Sequence, residues 1–373
     1  MLRVAYVALA PFIGGAERSL QIILIHALNY KIEPFLIAPK NSPLLKWAKD
    51  MGIKTFGVKL PVLSLRNILP YYISYYKLKK WLKIQEINIV HSNQLWSFPL
   101  IAQVATSLNL TKICHFRDPI SKDDNWWLKY KVDVAICVSK HIEDKFHQLI
   151  SKNLYKNLKT LINPVLLPEK LSLNDLKNLK IDSRKKLDLN VDVFIFGFIG
   201  QIREVKGLFE TLEILKKIKN MNWHFVVAGE DNSDGKLYLN KCKEYIKLNG
   251  LERYVTFIGF IDDTKVFYHA VDVIIMLSKE EPLGRVPLEA GSYYTPVIAN
   301  RTGGLPETIK HDYTGWLVDM WNLDEVLRIL NESMMINLMT IGKNARKLSE
   351  DIAEPNIYMK SLFSIYFDAL NIK

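Results

Sequence analysis

The sequence predicts an α/β protein made of two successive parallel-sheet domains, and three observations support this. The 373 residues exceed what one compact core usually needs. Short apolar runs rich in β-branched residues alternate with helix-length segments, once up to about residue 138 and again after residue 190. Charge divides in the same way: residues 1–186 hold 29 Lys+Arg and 13 Asp+Glu, a net +16, while residues 187–373 hold 21 and 26, a net −5, together the chain's +11. Two Rossmann-like domains are the economical architecture, over residues 1–165 and 166–354.

In the first array Arg3–Leu9, Pro34–Ala38, Ile89–His91, Lys112–His115 and Val134–Val138 are the expected strands. In the second they are Val193–Ile199, His224–Ala228, Val255–Ile258, Val273–Leu277 and Val297–Ala299. From Asn163 to about Asp192 the chain carries Pro164, Pro168 and a Lys/Asp/Asn/Leu mixture with no strand-like run, which places the linker there. The tail from Pro355 to Lys373 has helical spacing in Tyr358, Leu362, Ile365, Tyr366 and Leu370, and is expected to pack back on the first domain.

Composition narrows the class. Three cysteines, Cys114, Cys137 and Cys242, form no CxxC pair, so neither a disulfide framework nor a zinc ribbon is expected. A reducing, cytoplasmic compartment is the simplest reading. The longest non-polar run, Val4 to Ala16, has thirteen residues, short of the roughly 20 that span a bilayer. It follows Arg3 as a signal peptide's apolar region would, but it runs straight into Gly14-Gly15-Ala16-Glu17, which reads as functional.

Open α/β sheets bind ligands beyond the carboxyl ends of their strands. After the first strand, Gly14 and Gly15 allow close backbone approach, and the helix that follows offers free N–H groups to an anion. No GxGxxG occurs, which counts against a nicotinamide or flavin dehydrogenase. After Val273–Leu277 the chain reads SKEEPLGRVPLEAGSYYTPVIANRTGGLPETI. It places seven residues between Glu281 and Glu289, Gly284-Arg285 among them, with a small-residue helix leading to PVIA.

That segment resembles the E-x7-E signature of the retaining glycosyltransferases of family 4, the bacterial-type group 1 enzymes. FIGQIREVKG at 198–207 is similar to the family's phosphate loop, and VTFIGFI at 255–261 continues the likeness. GGAE at 14–17, HFRDP at 115–119, CVSKHI at 137–142 and LINPV at 161–165 look like its landmarks in the same order. The resemblance implies a GT-B fold, two Rossmann-like domains facing across a cleft, with the acceptor on the first and a nucleotide-sugar donor on the second. It also implies transfer with retention. No residue marks itself as a covalent nucleophile, so same-face attack is expected, with the leaving diphosphate helping to deprotonate the acceptor.

The residues fit that chemistry on their own terms. A nucleotide sugar needs helix N-termini and cations for its phosphates and carboxylates for its hydroxyls. Glu289 is placed to accept from ribose hydroxyls, Glu281 to reach the donor sugar and Lys206 to neutralise the leaving group. Gly14, Gly15, Gly200, Gly284, Arg285, Gly303 and Gly304 complete the donor side. The family usually has Arg after the first glycine of the loop, but here Gly200 is followed by Gln201. Either Arg203 supplies the charge from another angle or Gln201 bonds as a neutral donor. The chain has no D-x-D triplet, so no obligatory metal is expected, and the nucleotide sugar, UDP- or GDP-linked, is a co-substrate with no resident cofactor.

In the first domain His115, at a strand end, is expected to face the cleft, where closure would bring Glu281 and Lys206 against it, and the resemblance implies that these three are the catalytic residues. Asn93 and Arg117 are the acceptor-side candidates. Between Pro70 and Ile87, Ile68, Tyr71, Tyr75, Leu78 and Leu82 form the expected core stripe, and Tyr72, Tyr76, Lys79, Lys80 and Lys83 lie on an arc beside it. Aromatics and lysines so arranged suit an anionic membrane surface and a lipid-linked acceptor, with the protein peripheral at the inner face of the membrane. The expected function is sugar transfer to a glycan or lipid-linked acceptor in cell-surface polysaccharide or glycolipid assembly. A nucleotide-sugar epimerase or hydrolase, or a non-catalytic nucleotide-sugar-binding scaffold, fits the same residues. Nucleic-acid binding does not, because the basic residues are dispersed.

Overall fold

The computed structural model describes residues 1–59, 67–219 and 222–371. It contains two compact units: Met1–Val165 together with the chain from Ala353, and Leu166–Ile352. The first holds a seven-stranded sheet of β1 (Leu2–Val7), β2 (Ile32–Ala38), β3 (Lys54–Gly57), β4 (Ile89–Ser92), β5 (Thr111–Phe116), β6 (Val132–Cys137) and β7 (Tyr155–Thr160), in the order β3-β2-β1-β4-β5-β6-β7. The second holds six: β8 (Phe194–Ile199), β9 (Trp223–Ala228), β10 (Val255–Gly259), β11 (Val273–Met276), β12 (Val297–Asn300) and β13 (Gly315–Val318), in the order β10-β9-β8-β11-β12-β13. Every paired strand is parallel. In each sheet the strand order reverses beside the first strand, between β1 and β4 and between β8 and β11, and such a switch point is where loops diverge to leave room for a ligand.

Both faces of each sheet are covered, which explains why the strands read as continuous apolar runs. On β1, Val4 and Tyr6 pack into one core with Leu20 and Leu36, while Ala5 and Val7 pack into another with Val90 and Ile101. On β8, Phe196 and Phe198 face one core and Ile195 the other. The helix Pro355–Asn371 buries Tyr358, Met359, Leu362, Ile365 and Tyr366 in the same core as Val4 and Tyr6. Residues 372 and 373, also included in the helical reading of the tail, lie outside the described residues.

Three strands escaped the sequence reading. β3 and β7 are edge strands with partly exposed charged residues, and β13 is four residues long. The expected linker is also corrected. Its middle is a helix, Leu173–Lys186, started by the Ser172 side chain accepting from Asp175 N–H at 3.2 Å. Low apolar content hid it, because what pins it is a buried ion pair. Arg184 reaches Asp272 at 2.6 Å and the carbonyls of Ala270, Val191 and Val193 at 2.9, 2.8 and 3.1 Å. Asp272 also pairs with Lys180 and accepts from Ile195 N–H at 2.6 Å, tying helix, β8 and β11 into one joint.

Removing one partner of a buried pair leaves an uncompensated charge. Asp272→Ala is expected to destabilise the second unit by about 3 kcal/mol, measured as a fall in its urea unfolding midpoint. A change within about 0.5 kcal/mol would show that the carbonyls alone satisfy Arg184.

Candidate active site

In the second unit the candidate side chains stand on loops at the carboxyl ends of β8, β11 and β12, and glycines bring those loops together. Gly207 has φ +70°, and a Cβ there would stand 1.9 Å from the Leu277 carbonyl oxygen just beyond β11, so no other residue lets the two backbones pass. Lys279 N–H donates to the Val205 carbonyl at 2.8 Å, and the Lys279 ammonium pairs with Glu210 at 2.8 Å and Glu204 at 3.3 Å. The stitched loops set Lys206 beside Glu281, whose Oε2 accepts from Lys206 Nζ at 2.7 Å. From the loop after β12, Gly304 N–H donates to the Glu281 carbonyl at 2.9 Å, and a Cβ on Gly303 would lie 2.0 Å from that oxygen. Gly303 and Gly304 thus brace the Glu281 backbone, loop against loop.

Gly284 (φ +87°) caps the helix Arg285–Ser292 without a side-chain bond. Glu289 lies just over one turn further on. Its Oε1 accepts from Arg285 Nε at 3.0 Å and Nη2 at 2.5 Å, and its Oε2 accepts from the Tyr268 hydroxyl at 3.0 Å. Each candidate carboxylate is therefore already paired with a candidate cation, Glu281 with Lys206 and Glu289 with Arg285. A ligand carrying both a diphosphate and hydroxyl groups can exchange these partners, its phosphates taking the cations and its hydroxyls donating to the carboxylates. In the loop after β8, Gly200 N–H donates to the Ala228 carbonyl at 3.0 Å; Gln201 is half-buried and Arg203 exposed. Among the described residues no three His, Cys, Asp or Glu side chains gather as a metal site.

The first unit differs more from expectation. Gly14 caps the helix Gly15–His26, but its N–H donates to Glu17 Oε2 at 3.1 Å. A buried carboxylate, its pKa raised by desolvation, thus stands at the Gly14-Gly15 turn where the sequence suggested an anion. His115 is enclosed as well. It lies on a central strand covered on both faces, so it is fully buried rather than presented on a surface. Arg117 can only donate, so His115 Nδ1 accepts from its Nη2 at 3.1 Å and the ring proton sits on Nε2. Burial, with the charge of Arg117 beside it, holds the imidazole well below its ordinary range and keeps it neutral.

Arg117 also donates through Nε to the Asn93 carbonyl at 3.1 Å and through Nη1 to the Asn163 side chain, and Asn93 Nδ2 donates to the Ala16 carbonyl at 3.3 Å. The three first-unit candidates are therefore one buried cluster at the carboxyl ends of β1, β4 and β5. Sequence reasoning missed its other members. His91 stacks on His115 with ring centroids 5.6 Å apart, and its Nδ1 meets the Tyr366 hydroxyl at 2.5 Å. Tyr366 arrives from the far end of the chain, where no local signal links it to a strand end. Burial pushes His91 down to about 3.

The helix Ile68–Ile84 buries Tyr71, Ser74, Leu78 and Leu82. Ile68, expected in that stripe, is 47% exposed, because the helix begins there beyond the edge of the core. Tyr72, Tyr76, Lys80 and Lys83 are exposed, together with Leu69 and Ile73. Lys79 is half-buried, its ammonium 5.9 Å from the Tyr75 ring centroid.

The paired carboxylates and the glycine-held loops fall within residues 180–348, which match the family described as Glycosyl transferases group 1. Over those residues the chain is similar to that family. It is 30% identical over 210 residues to an uncharacterized glycosyltransferase of Methanocaldococcus jannaschii, over 53% of this chain and 52% of the relative. It is 29% identical to the lipopolysaccharide core biosynthesis glycosyltransferase LpsE of Rhizobium meliloti, over 41% of this chain and 43% of the relative. These matches thus span about half the length of each relative. Among solved structures, Anabaena HepE, crystallised with UDP and glucose, superposes with a TM-score of 0.82 at 18% identity, over 98% of this chain and 99% of that one. The fold is the expected GT-B fold, two parallel-sheet α/β units.

Two outcomes follow from this geometry. If Glu281 competes with phosphate for Lys206, Glu281→Gln should bind inorganic pyrophosphate about fivefold more tightly (~1 kcal/mol) by calorimetry; unchanged or weaker binding would refute the exchange. Because the unfolded chain protonates His91 near pH 6.5 and the folded one only near 3, stability should fall as pH drops through that window. By pH 5 this loss should reach about 2 kcal/mol. His91→Gln should lose correspondingly less between pH 7 and 5 in urea titrations, and equal losses would rule the mechanism out.

Proposed function

We propose that the chain is a retaining glycosyltransferase that takes a sugar from a nucleotide-sugar donor held by the second unit and passes it to a glycan or lipid-linked acceptor held mainly by the first. The observation that carries this reading is the double pairing of Lys206 with Glu281 and Arg285 with Glu289 at the carboxyl end of one sheet, within the residues similar to the group 1 glycosyltransferases. The ligands of HepE and the assignment of LpsE to lipopolysaccharide synthesis favour a UDP-linked donor and a cell-surface glycan product.

In this reading the diphosphate is held by Lys206, Arg285 and the open amides of the helix that Gly284 caps, with Gly200 and either Gln201 or Arg203 beside it. Glu289 accepts from the ribose and Glu281 from the sugar. Lys206 stabilises the negative charge that grows on the diphosphate as the glycosidic bond breaks. The acceptor hydroxyl attacks from the same face, and its proton passes to the leaving diphosphate. No obligatory metal takes part. His115, with its proton fixed on Nε2, serves as a neutral donor to a substrate hydroxyl, and Asn93 and Arg117 hold the frame around it. Gly14 and Gly15 give the donor a close backbone approach.

The exposed face of the helix Ile68–Ile84 supports a second part of the reading. Tyr72 and Tyr76 are 44% and 65% exposed, with Lys80 and Lys83 on the same face. We infer contact with an anionic membrane surface that presents the acceptor on its cytoplasmic side, each lysine contributing roughly 1 kcal/mol. No helix among the described residues is long and apolar enough to cross a membrane.

Four measurements test these readings. Calorimetric titration with UDP, GDP and their sugar conjugates should find one nucleotide class binding, with or without EDTA. Turnover of the matching donor should fall at least about 100-fold in Lys206→Ala. Product NMR should show a new glycosidic bond with the donor's anomeric configuration; an isomerised or merely hydrolysed donor would make this an epimerase or hydrolase, and binding without turnover a scaffold. Lys80→Glu with Lys83→Glu should abolish sedimentation with phosphatidylglycerol vesicles. Equal sedimentation with neutral phosphatidylcholine, or none for the unaltered protein, would remove the membrane from the account.

A further inference from the structure

Glu289 has a second partner that no reading of the sequence assigned. Tyr268, in the helix Thr264–Ala270, is fully buried, and its hydroxyl donates to Glu289 Oε2 at 3.0 Å. Its ring is clamped flat against Tyr293, with centroids 5.5 Å apart and planes 11° from parallel, and its carbonyl accepts from Thr295 Oγ1 at 2.7 Å. Backbone and ring are both fixed, so the hydroxyl has a single target. Burial and the charge of Glu289 hold the phenol far above its ordinary range, so it stays a donor.

We propose that Tyr268 is a positioning residue for ribose recognition: it fixes the Glu289 carboxylate so that one lone pair of Oε2 faces the ligand. A carboxylate offers about four acceptor directions. Arg285 occupies two of them at Oε1 and Tyr268 one at Oε2, which leaves a single direction for an incoming hydroxyl. Once a diphosphate draws Arg285 away, the Tyr268 bond is what keeps the carboxylate from rotating about its side chain. Tyr268 touches no ligand itself. The inference rests on the proposed role of Glu289 as the acceptor for ribose hydroxyls.

The test compares UDP and GDP with their 2′,3′-dideoxy forms, titrated into the full chain and into Tyr268→Phe, Glu289→Gln and the double variant. Tyr268→Met serves as a second donor-free side chain should the Phe variant fold poorly. Tyr268→Phe should weaken the bound ribonucleotide about five- to tenfold, leave its dideoxy form within twofold, and add nothing in the Glu289→Gln background. A merely structural role would weaken both forms alike. If Glu289→Gln discriminates the two forms and Tyr268→Phe does not, the positioning role is overturned while the ribose role of Glu289 stands. If Glu289→Gln weakens both equally, or neither nucleotide binds, the ribose role fails and the inference fails with it.

Discussion

The loops after β8 and β11 touch through their backbones, and the chemistry of the second unit depends on that contact. A Cβ on Gly207 would overlap the Leu277 carbonyl, so the approach exists only because the residue after Lys206 has no side chain. Short loops held by main-chain bonds lose little entropy when a ligand arrives, whereas long side chains reaching across a gap would have to be ordered each time. The ion pair between Lys206 and Glu281 is therefore a result of how the backbones pack.

The two units use ionisable groups in opposite ways. In the second, cations and carboxylates are partly exposed and paired, an arrangement that water and a charged ligand can exchange at modest cost. In the first, His91, His115 and Arg117 are enclosed, and the histidines are held neutral by burial. Enclosed neutral groups do little for a phosphate. They suit the recognition of hydroxyl groups, because a hydrogen bond is directional and strengthens in a low dielectric, and leaving one unmade is costly.

Residues close in sequence were legible, and residues joined by topology were not. Glu281, Gly284, Arg285 and Glu289 lie within nine positions, so their spacing alone put one carboxylate before a helix and the other inside it. Lys206 could be matched to them only through resemblance, since nothing in FIGQIREVKG names its partner. The failures share a cause. His115 ends a strand, yet its stacking partner His91 is met by Tyr366 from a distant segment that no local pattern reveals. The helix Leu173–Lys186 passed for a linker because its anchor, Asp272, lies far along the chain. Ile68 fell on the apolar stripe by periodicity, yet periodicity does not show where a core ends.

The first unit is closed by Pro355–Asn371, so the second unit is an insertion of 187 residues, Leu166–Ile352, between two parts of one core. On the ribosome this reverses the usual order in which the N-terminal domain is finished first. A nascent chain can complete the insertion while Tyr6, Val4 and Leu20 still lack the aromatic and aliphatic face that Tyr358, Leu362 and Tyr366 supply. The hydroxyl that His91 meets in its burial is synthesised after the whole insertion. The interior of the first unit thus becomes fully assembled only after the whole of the second unit has been made.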